Sequence, residues 1–285
     1  LVDTQPMQLT EEQRMVVREI ASQVAIALQQ SRLRTAIQRH TRDLERRVAL
    51  RTGELREVNA ALEQFGSSVA HDLRAPLRTL QGFADALLED YGDRFDETGR
   101  DYAQRIVRAA SSMDALISDL LTYSRLSRSE LHLQSVNLQL VVEQSVAQLE
   151  QELRERNAEL EVEQDMPVVR GQTTILIQVV TNLLSNAVKF MPPERVPQVR
   201  VWAEQREDMV RLWVEDNGLG IDPRYRERVF SVFERLHGSE QYPGTGIGLA
   251  IVRKGVERMG GSAGVDSTVG VGSRFWIELP AGGAS

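Results

Sequence analysis

No proline interrupts the chain between Pro6 and Pro76, and an apolar stripe runs down much of that interval. Ile37, Thr41, Leu44, Val48, Arg51, Leu55, Val58, Leu62, Phe65 and Val69 follow one another in alternating steps of four and three, and eight of these ten are apolar. A 3.5-residue repeat keeps one stripe of a helix turned toward a partner helix, so the pattern predicts a coiled-coil seam. Arg and Glu crowd the flanking positions, as a solvated face requires. A lone helix of this kind would expose its stripe. A parallel dimer covers it; the other reading is a long helix packed on its own domain. Thr10-Glu11-Glu12-Gln13 reads as a capping box that starts the helix.

Past Val69 the stripe continues as Leu73, Leu77, Leu80, Ala84 and Leu87, so four-residue steps run together beside His71. Such a stutter locally unwinds a supercoil. After the turn Tyr91-Gly92-Asp93 a second helix is expected, capped by Thr98-Gly99-Arg100-Asp101. Its apolar face holds Ile106, Ala109, Ala110, Met113, Leu116, Ile117, Leu120 and Leu121. Two antiparallel helices per chain, doubled by dimerisation, make a four-helix bundle.

From about Asn137 the pattern becomes mixed. Helices are expected near 137–156, Thr173–Phe190 and Ile247–Met259, and strands at Glu159–Gln164, Val199–Glu204, Val210–Glu215, Ser262–Asp266 and Arg274–Leu279. Three strands carry Arg-Trp-Glu at alternate positions, which turns all three tryptophans to one sheet face. That face reads either as a surface stabilised by cross-strand Arg–Trp and Arg–Glu contacts or as a docking face.

Composition narrows the class. A net charge of −7 lacks the basic balance of a general nucleic-acid binder. With no cysteine there are no disulfides and no thiolate zinc site, which fits a reducing cytosol. No apolar run approaches the roughly 18 residues needed to span a bilayer. The chain opens on Leu1 rather than Met, so it reads as a piece of a longer protein whose membrane contact, if any, lies elsewhere.

Four short blocks carry chemistry. In His71-Asp72-Leu73-Arg74-Ala75-Pro76-Leu77 a histidine lies off the apolar stripe, on a helix expected to end or kink near the proline. A carboxylate beside an imidazole holds the proton on Nδ1 and leaves Nε2 free to attack. Asn182, Asn186 and Lys189 recur at i, i+4 and i+7, so one helix face offers amide oxygens and an ammonium. Asp216-Asn217-Gly218-Leu219-Gly220 follows a strand, with an acceptor for an exocyclic amine and glycines that let a flat ligand approach. Gly244-Thr245-Gly246-Ile247-Gly248-Leu249 opens a helix, where free amides bind phosphate. Its spacing is neither a P-loop nor a dinucleotide fingerprint.

In this order, the blocks resemble those of histidine kinases over about residues 60–280. His71–Leu77 is similar to the H box, Asn182–Phe190 to the N box, Asp216–Gly220 to the first glycine box, Phe230-Ser231-Val232-Phe233 to the F box and Gly244–Leu249 to the second glycine box. Gly270-Val271-Gly272-Ser273 resembles a final glycine turn. The resemblance implies an α+β chain. A long parallel coiled coil leads to a dimeric four-helix bundle, followed by an α/β-sandwich ATP-binding domain with a mixed sheet and helices on one face. It implies a homodimer that phosphorylates His71 from ATP with Mg²⁺ and passes the phosphoryl group to the receiver domain of a separate response regulator. Asp72 would orient His71, Asn186 would ligate Mg²⁺, Asn182 would assist at the metal, Lys189 would meet phosphate and Asp216 would read adenine. Phe190, Gly218 and Gly220 would border the nucleotide, and Arg235 with the amides of Gly244, Thr245, Gly246, Gly248 and Leu249 would contact its phosphates. Residues around 222–246 would form a lid anchored by Phe230 and Phe233. The expected division is 1–33, resembling the last helix of a GAF sensor domain; 34–64, a coiled-coil linker; 65–130, the dimerisation and phosphotransfer domain; and 137–282, the catalytic domain, with a hinge near 128–137. Cytoplasmic residence is expected.

One departure stands out. Many relatives place Thr or Asn four positions after the phosphoacceptor to orient water for dephosphorylating the partner, and here that position is Ala75. Weak phosphatase activity is therefore expected. A clamp-type ATPase of the same nucleotide fold is the first alternative, but such proteins lack an H box on a coiled coil and usually carry a carboxylate where Asn182 stands. A nucleotide-binding scaffold without transfer is the second, and the intact His71, Asn186 and Asp216 speak against it.

Overall fold

The structure is a computed structural model that describes residues 10–128, 131–236, 238, 242 and 244–283. Within these, the side chains of residues 13, 25–27, 35–37, 41, 45, 49, 52, 54–57, 59–65, 67 and 127–128 lie outside the described set. The chain divides into two compact units, Leu1–Leu62 and Glu63–Ser285.

Helix α1 runs from Glu11 to Tyr91 without a break. It begins where the capping box sets it, with Arg14 N–H donating to Thr10 O, while the Gln13 side chain of that box lies outside the described residues. It continues through Pro76, near which the sequence suggests an end or a kink. Of the seam, Ile37, Thr41, Leu55, Leu62 and Phe65 lie outside the described side chains, whereas Leu44, Val48 and Val58 are exposed on the single chain.

A short 3₁₀ turn, Gly92–Arg94, leads to helix α2, Glu97–Arg128. The cap is Asp96 rather than Thr98: its carboxylate accepts from Gly99 N–H at 2.7 Å, satisfying an amide that the first turn leaves open. Ala70, Leu77 and Ala84 of α1 and Ala103 and Ala110 of α2 are buried. Arg74 of α1 donates to Asp114 and Ser118 of α2, at 3.0 and 2.6 Å.

Residues 131–283 form the α/β part. Strand β1, Gln134–Asn137, precedes helices α3, Leu138–Gln148, and α4, Glu150–Glu155. The single helix expected near 137–156 is therefore two, separated at Leu149 (φ −104°, ψ 8°). Strand β2 spans Glu159–Val162 and β3 spans Val168–Gly171. Then come α5, Thr173–Lys189; β4, Gln198–Arg206; β5, Met209–Asp216; α6, Gly248–Arg258; β6, Ser262–Thr268; and β7, Gly272–Pro280. The main sheet has the order β2-β4-β5-β7-β6, with β2 parallel to β4 and every other pair antiparallel. It is mixed, as expected, with α5 and α6 against its apolar face. Strands β1 and β3 form a second, two-stranded antiparallel sheet that the sequence did not reveal. Gln134–Asn137, the last part of the segment 128–137 where a hinge was expected, is paired in strand to Val168–Gly171.

The other sheet face carries the tryptophans in one cross-strand row, Trp202–Trp213–Trp276, flanked by the rows Arg200–Glu215–Arg274 and Glu204–Arg211–Glu278. Trp202 stacks on Trp213 at 5.8 Å, and the Arg211 guanidinium sits 4.1 Å from the Trp276 ring while pairing with Glu278 at 3.2 Å. Trp213 is only 7% exposed, so the charged rows cover the aromatic one. This is the self-paired surface of the first reading.

Candidate nucleotide site and phosphoacceptor histidine

Helix α5 is two-faced. Leu176, Val179, Val180, Leu183, Leu184, Ala187 and Val188 are buried in the core, and Asn182, Asn186 and Lys189 face a cavity of about 320 Å³. Asn182 Nδ2 donates to Gln178 O at 3.0 Å, which fixes its amide and leaves Oδ1 beside Gly248. Burial lowers the Lys189 pKa, and the charge of Arg235 lowers it further; Glu152 and Asp119 oppose both. A buried ammonium whose charged form is disfavoured gains from an incoming anion.

The opposite end of the cavity is built by Asp216, the last residue of β5. Its Oδ1 accepts from Gly218 N–H at 2.8 Å and Ser273 N–H at 3.2 Å. Burial nevertheless raises its pKa to about 6, with the two amides acting in the opposite direction. The loop that follows is wedged between two backbones. Leu219 N–H donates to Phe190 O, and Gly270 N–H donates to Leu219 O. Gly220 has φ +70°, and a Cβ there would lie 2.1 Å from Thr268 O, so glycine is required twice over.

The phosphate end is the start of α6. Gly244 packs on Lys189 so closely that a Cβ would lie 2.1 Å from its Nζ. Thr245 Oγ1 donates to Asp119 Oδ2 at 2.5 Å and accepts from Ile247 N–H at 3.2 Å. Arg235 donates to Tyr242 O at 3.0 Å, and Tyr242 OH donates to Met191 O at 3.1 Å.

Most residues singled out in the sequence therefore meet in one place. Asn182, Asn186, Lys189, Phe190, Asp216, Gly220, Arg235, Gly244, Thr245, Gly246, Gly248 and Leu249 all line the cavity. Gly218 lies beneath it, where a Cβ would meet Phe190 O at 2.5 Å. The two phenylalanines part company. Phe230 is buried and meets Phe275 edge-on at 6.4 Å, whereas Phe233 is 61% exposed, at φ +65°, with its N–H donating to Gly246 O. Phe233 therefore does not anchor the lid by burial. Lid residues 237, 239–241 and 243 lie outside the described residues. Sequence reading missed Ala115 and Asp119 on α2, and Ser273 and Phe275 on β7, all of which line the cavity. In the sequence Ser273 reads only as the end of a glycine turn, and tertiary packing brings all four to the cavity.

His71 stands apart. It is not among the residues lining the cavity, its side chain is 83% exposed on α1, and its Nδ1 lies 3.4 Å from Asp72 Oδ1. Among the described residues no cluster of three or more His, Cys, Asp or Glu side chains could hold a metal. Asn182 and Asn186 offer the cavity amide oxygens, the kind of hard donor that a cation shared with phosphates accepts.

This combination of an ATPase-like cavity and an exposed histidine on a helical hairpin has counterparts. Residues 61–129 match the His Kinase A (phospho-acceptor) domain, and residues 171–283 match the family of histidine kinase-, DNA gyrase B- and HSP90-like ATPases. The chain therefore carries the core of a sensor histidine kinase, a phospho-acceptor domain followed by a histidine kinase-type ATPase domain. It is 37% identical to the phytochrome-like protein Cph1 of Synechocystis sp. over 228 residues, covering 80% of this chain and 30% of that protein. It is 32% identical to the circadian input-output histidine kinase CikA of Synechococcus elongatus over 283 residues, covering 94% of this chain and 37% of that one. Among solved structures, full-length ShkA in complex with AMPPNP superimposes with a TM-score of 0.59 at 29% identity, over 78% of this chain and 46% of that chain. The chain thus spans about a third of the length of the curated relatives it matches. Among the described residues, no helix is long and apolar enough to cross a membrane.

Proposed function

We propose that this core transfers the γ-phosphoryl group of ATP to His71 and then to an aspartate in the receiver domain of a separate response regulator. The observation that carries the reading is the polarity of the cavity: a buried carboxylate, Asp216, at one end, and Lys189, Asn186 and the start of α6 at the other. Asp216 accepts from the exocyclic amine of adenine, and Lys189, Arg235 and the amides of residues 244–249 meet the phosphates. Asn186 Oδ1 would hold Mg²⁺, with Asn182 beside it, and the ion would neutralise charge on the phosphates.

In the transfer, His71 Nε2 forms the new N–P bond, the bond from the γ-phosphorus to its bridging oxygen breaks, and ADP leaves. Asp72 holds the proton on Nδ1. The exposure of His71 supports delivery by a second domain. The receiver partner follows by analogy with ThkA, solved in complex with the response regulator protein TrrA, which shares the fold at 24% identity and a TM-score of 0.54. A homodimer, a division of the chain at 33/34, 64/65 and near 130–137, and a cytoplasmic setting belong to the same reading. Ala75, exposed and without a polar side-chain atom, is expected to leave the core a poor phosphatase.

The test is incubation with Mg²⁺ and γ-labelled ATP, comparing the native chain with His71→Gln. Acid-labile, base-stable label absent from the variant supports the reading. ATP hydrolysis without protein label, equal in both, would point to a clamp-type ATPase instead. A companion assay follows phosphorylated receiver: fast Mg²⁺-dependent loss on adding the core contradicts the role given to Ala75.

A further inference from the structure

The adenine reading rests on the carboxylate of Asp216, but what holds that carboxylate in place is a peptide unit. Gly218 N–H donates to Asp216 Oδ1 at 2.8 Å. The carbonyl of that same peptide unit is Asn217 O, and it accepts from Arg195 Nη1. The next unit repeats the arrangement: Gly218 O accepts from Arg195 Nη1 at 3.2 Å, and Leu219 N–H donates to Phe190 O. The second guanidinium nitrogen, Nη2, reaches Gly270 O at 3.2 Å, on the turn whose own N–H donates to Leu219 O. A peptide is planar, so pinning its oxygen fixes the direction of its N–H. One side chain therefore orients two consecutive peptide planes and ties them to the turn before β7. Only a planar guanidinium with donors on separate nitrogens spans these carbonyls; an ammonium offers a single point.

We propose that Arg195 is a positioning residue for the base end of the nucleotide site: it aims the Gly218 N–H that holds Asp216. Arg195 lies between Pro193 and Pro197 on the exposed connection from α5 to β4 and does not line the cavity. Its effect should therefore reach ADP and ATP equally through the base, and leave the phosphate end alone. The inference rests on Asp216 meeting adenine, so the experiment separates the two ideas.

Equilibrium ADP binding, inhibition by inorganic tripolyphosphate, and the KM and kcat of His71 phosphorylation are measured for the native chain, Arg195→Ala, Arg195→Lys, Asp216→Asn and the Ala/Asn double variant. Arg195→Ala is expected to weaken ADP binding and raise KM for ATP about tenfold, with kcat within about twofold and tripolyphosphate inhibition unchanged. Arg195→Lys should fall between. On the Asp216→Asn background the Arg195→Ala change should cost less than about twofold, because both act through one hydrogen bond. Unchanged ADP affinity in Arg195→Ala overturns the proposal, as does an equal loss of tripolyphosphate binding, which would mark general damage to the domain. Where Arg195→Ala does not fold, Arg195→Lys carries the same comparison. If Asp216→Asn itself leaves ADP affinity unchanged, the base reading fails and this inference falls with it; if only the Arg195 variants are silent, the base reading stands.

Discussion

Asp216 carries opposite demands in one carboxyl group. Burial raises its pKa to about 6 from the ordinary 3.8, although the amides of Gly218 and Ser273 favour the charged form. The folded chain therefore binds this proton more tightly than the unfolded chain, and the group's contribution to stability falls as pH rises from about 3.8 through 6. Nucleotide binding runs the other way, because an exocyclic amine needs the ionised acceptor. Equilibrium ADP affinity is expected to drop about fourfold between pH 7.5 and 5.5, following the fraction ionised, and to be weak and nearly flat in Asp216→Asn. Binding rather than turnover is the measurement, since it leaves His71 out of the readout. A flat native profile would mean that this carboxylate does not meet the base. The residue itself was legible from Asp-x-Gly-x-Gly after a strand. Its burial was not, because Ser273 arrives from 57 positions away.

At the level of elements, the sheet and α2 give separate tests. Trp276 of β7 lies over Gly264 of β6, where a Cβ would sit 2.3 Å from the indole ring. Gly264→Ala should force the ring off the Arg211-covered row and cost about 1–3 kcal/mol of stability, read as a lowered Cm in urea with unchanged m. Helix α2 packs on α6, and its polar contacts with the catalytic fold include Thr245 with Asp119 and Arg258 donating to Leu126 O at 2.6 Å. The Asp119 carboxylate stands in the cavity lining with Lys189, where a polyphosphate brings further negative charge. On this geometry, contact with α2 is expected to weaken nucleotide binding, and linkage makes the effect reciprocal. Asp119→Asn is expected to bind ADP severalfold more tightly, as titration calorimetry would read; weaker, more Mg²⁺-dependent binding would instead make Asp119 a helper at the metal. The α2 contacts were not legible beforehand. The α2 sequence reads as a helix with an apolar face, and nothing in it says which polar residue meets a loop 126 positions on.

On the scale of the whole molecule, the helical hairpin is half satisfied. Ala70, Leu77, Ala84, Ala103 and Ala110 are buried within the chain. Leu73, Leu80 and Leu87 on α1, and Ile106, Met113 and Leu120 on α2, recur every seven residues and stay between 43% and 53% exposed. Two apolar stripes at heptad spacing are the surface that a second copy would cover in a four-helix bundle. Leu80→Asp should shift the chain from dimer to monomer in sedimentation at micromolar concentration, leaving ADP binding intact because Leu80 does not line the cavity. A dimer that survives this change would have to be held by the long helix alone.

The periodicities of the chain determined its parts. A 3.5-residue stripe free of proline makes a long helix, and Pro76 alone did not end it, since losing one amide leaves the neighbouring turns to carry the helix. Alternation of aliphatic and Arg-Trp-Glu positions fixed which sheet face is buried, because the side-chain period of a strand admits only two choices. Residue type and spacing also marked Asn182, Asn186, Lys189 and Asp216, which need the same chemistry wherever they stand. Tertiary structure alone decided what lies between these parts. The β1–β3 pair, the Ser273 amide on Asp216, the Arg195 bridge and the Asp119–Thr245 contact join segments distant in the chain. Their donors and acceptors are ordinary backbone groups and common side chains, so only the packing of helices on the sheet selects which of them meet.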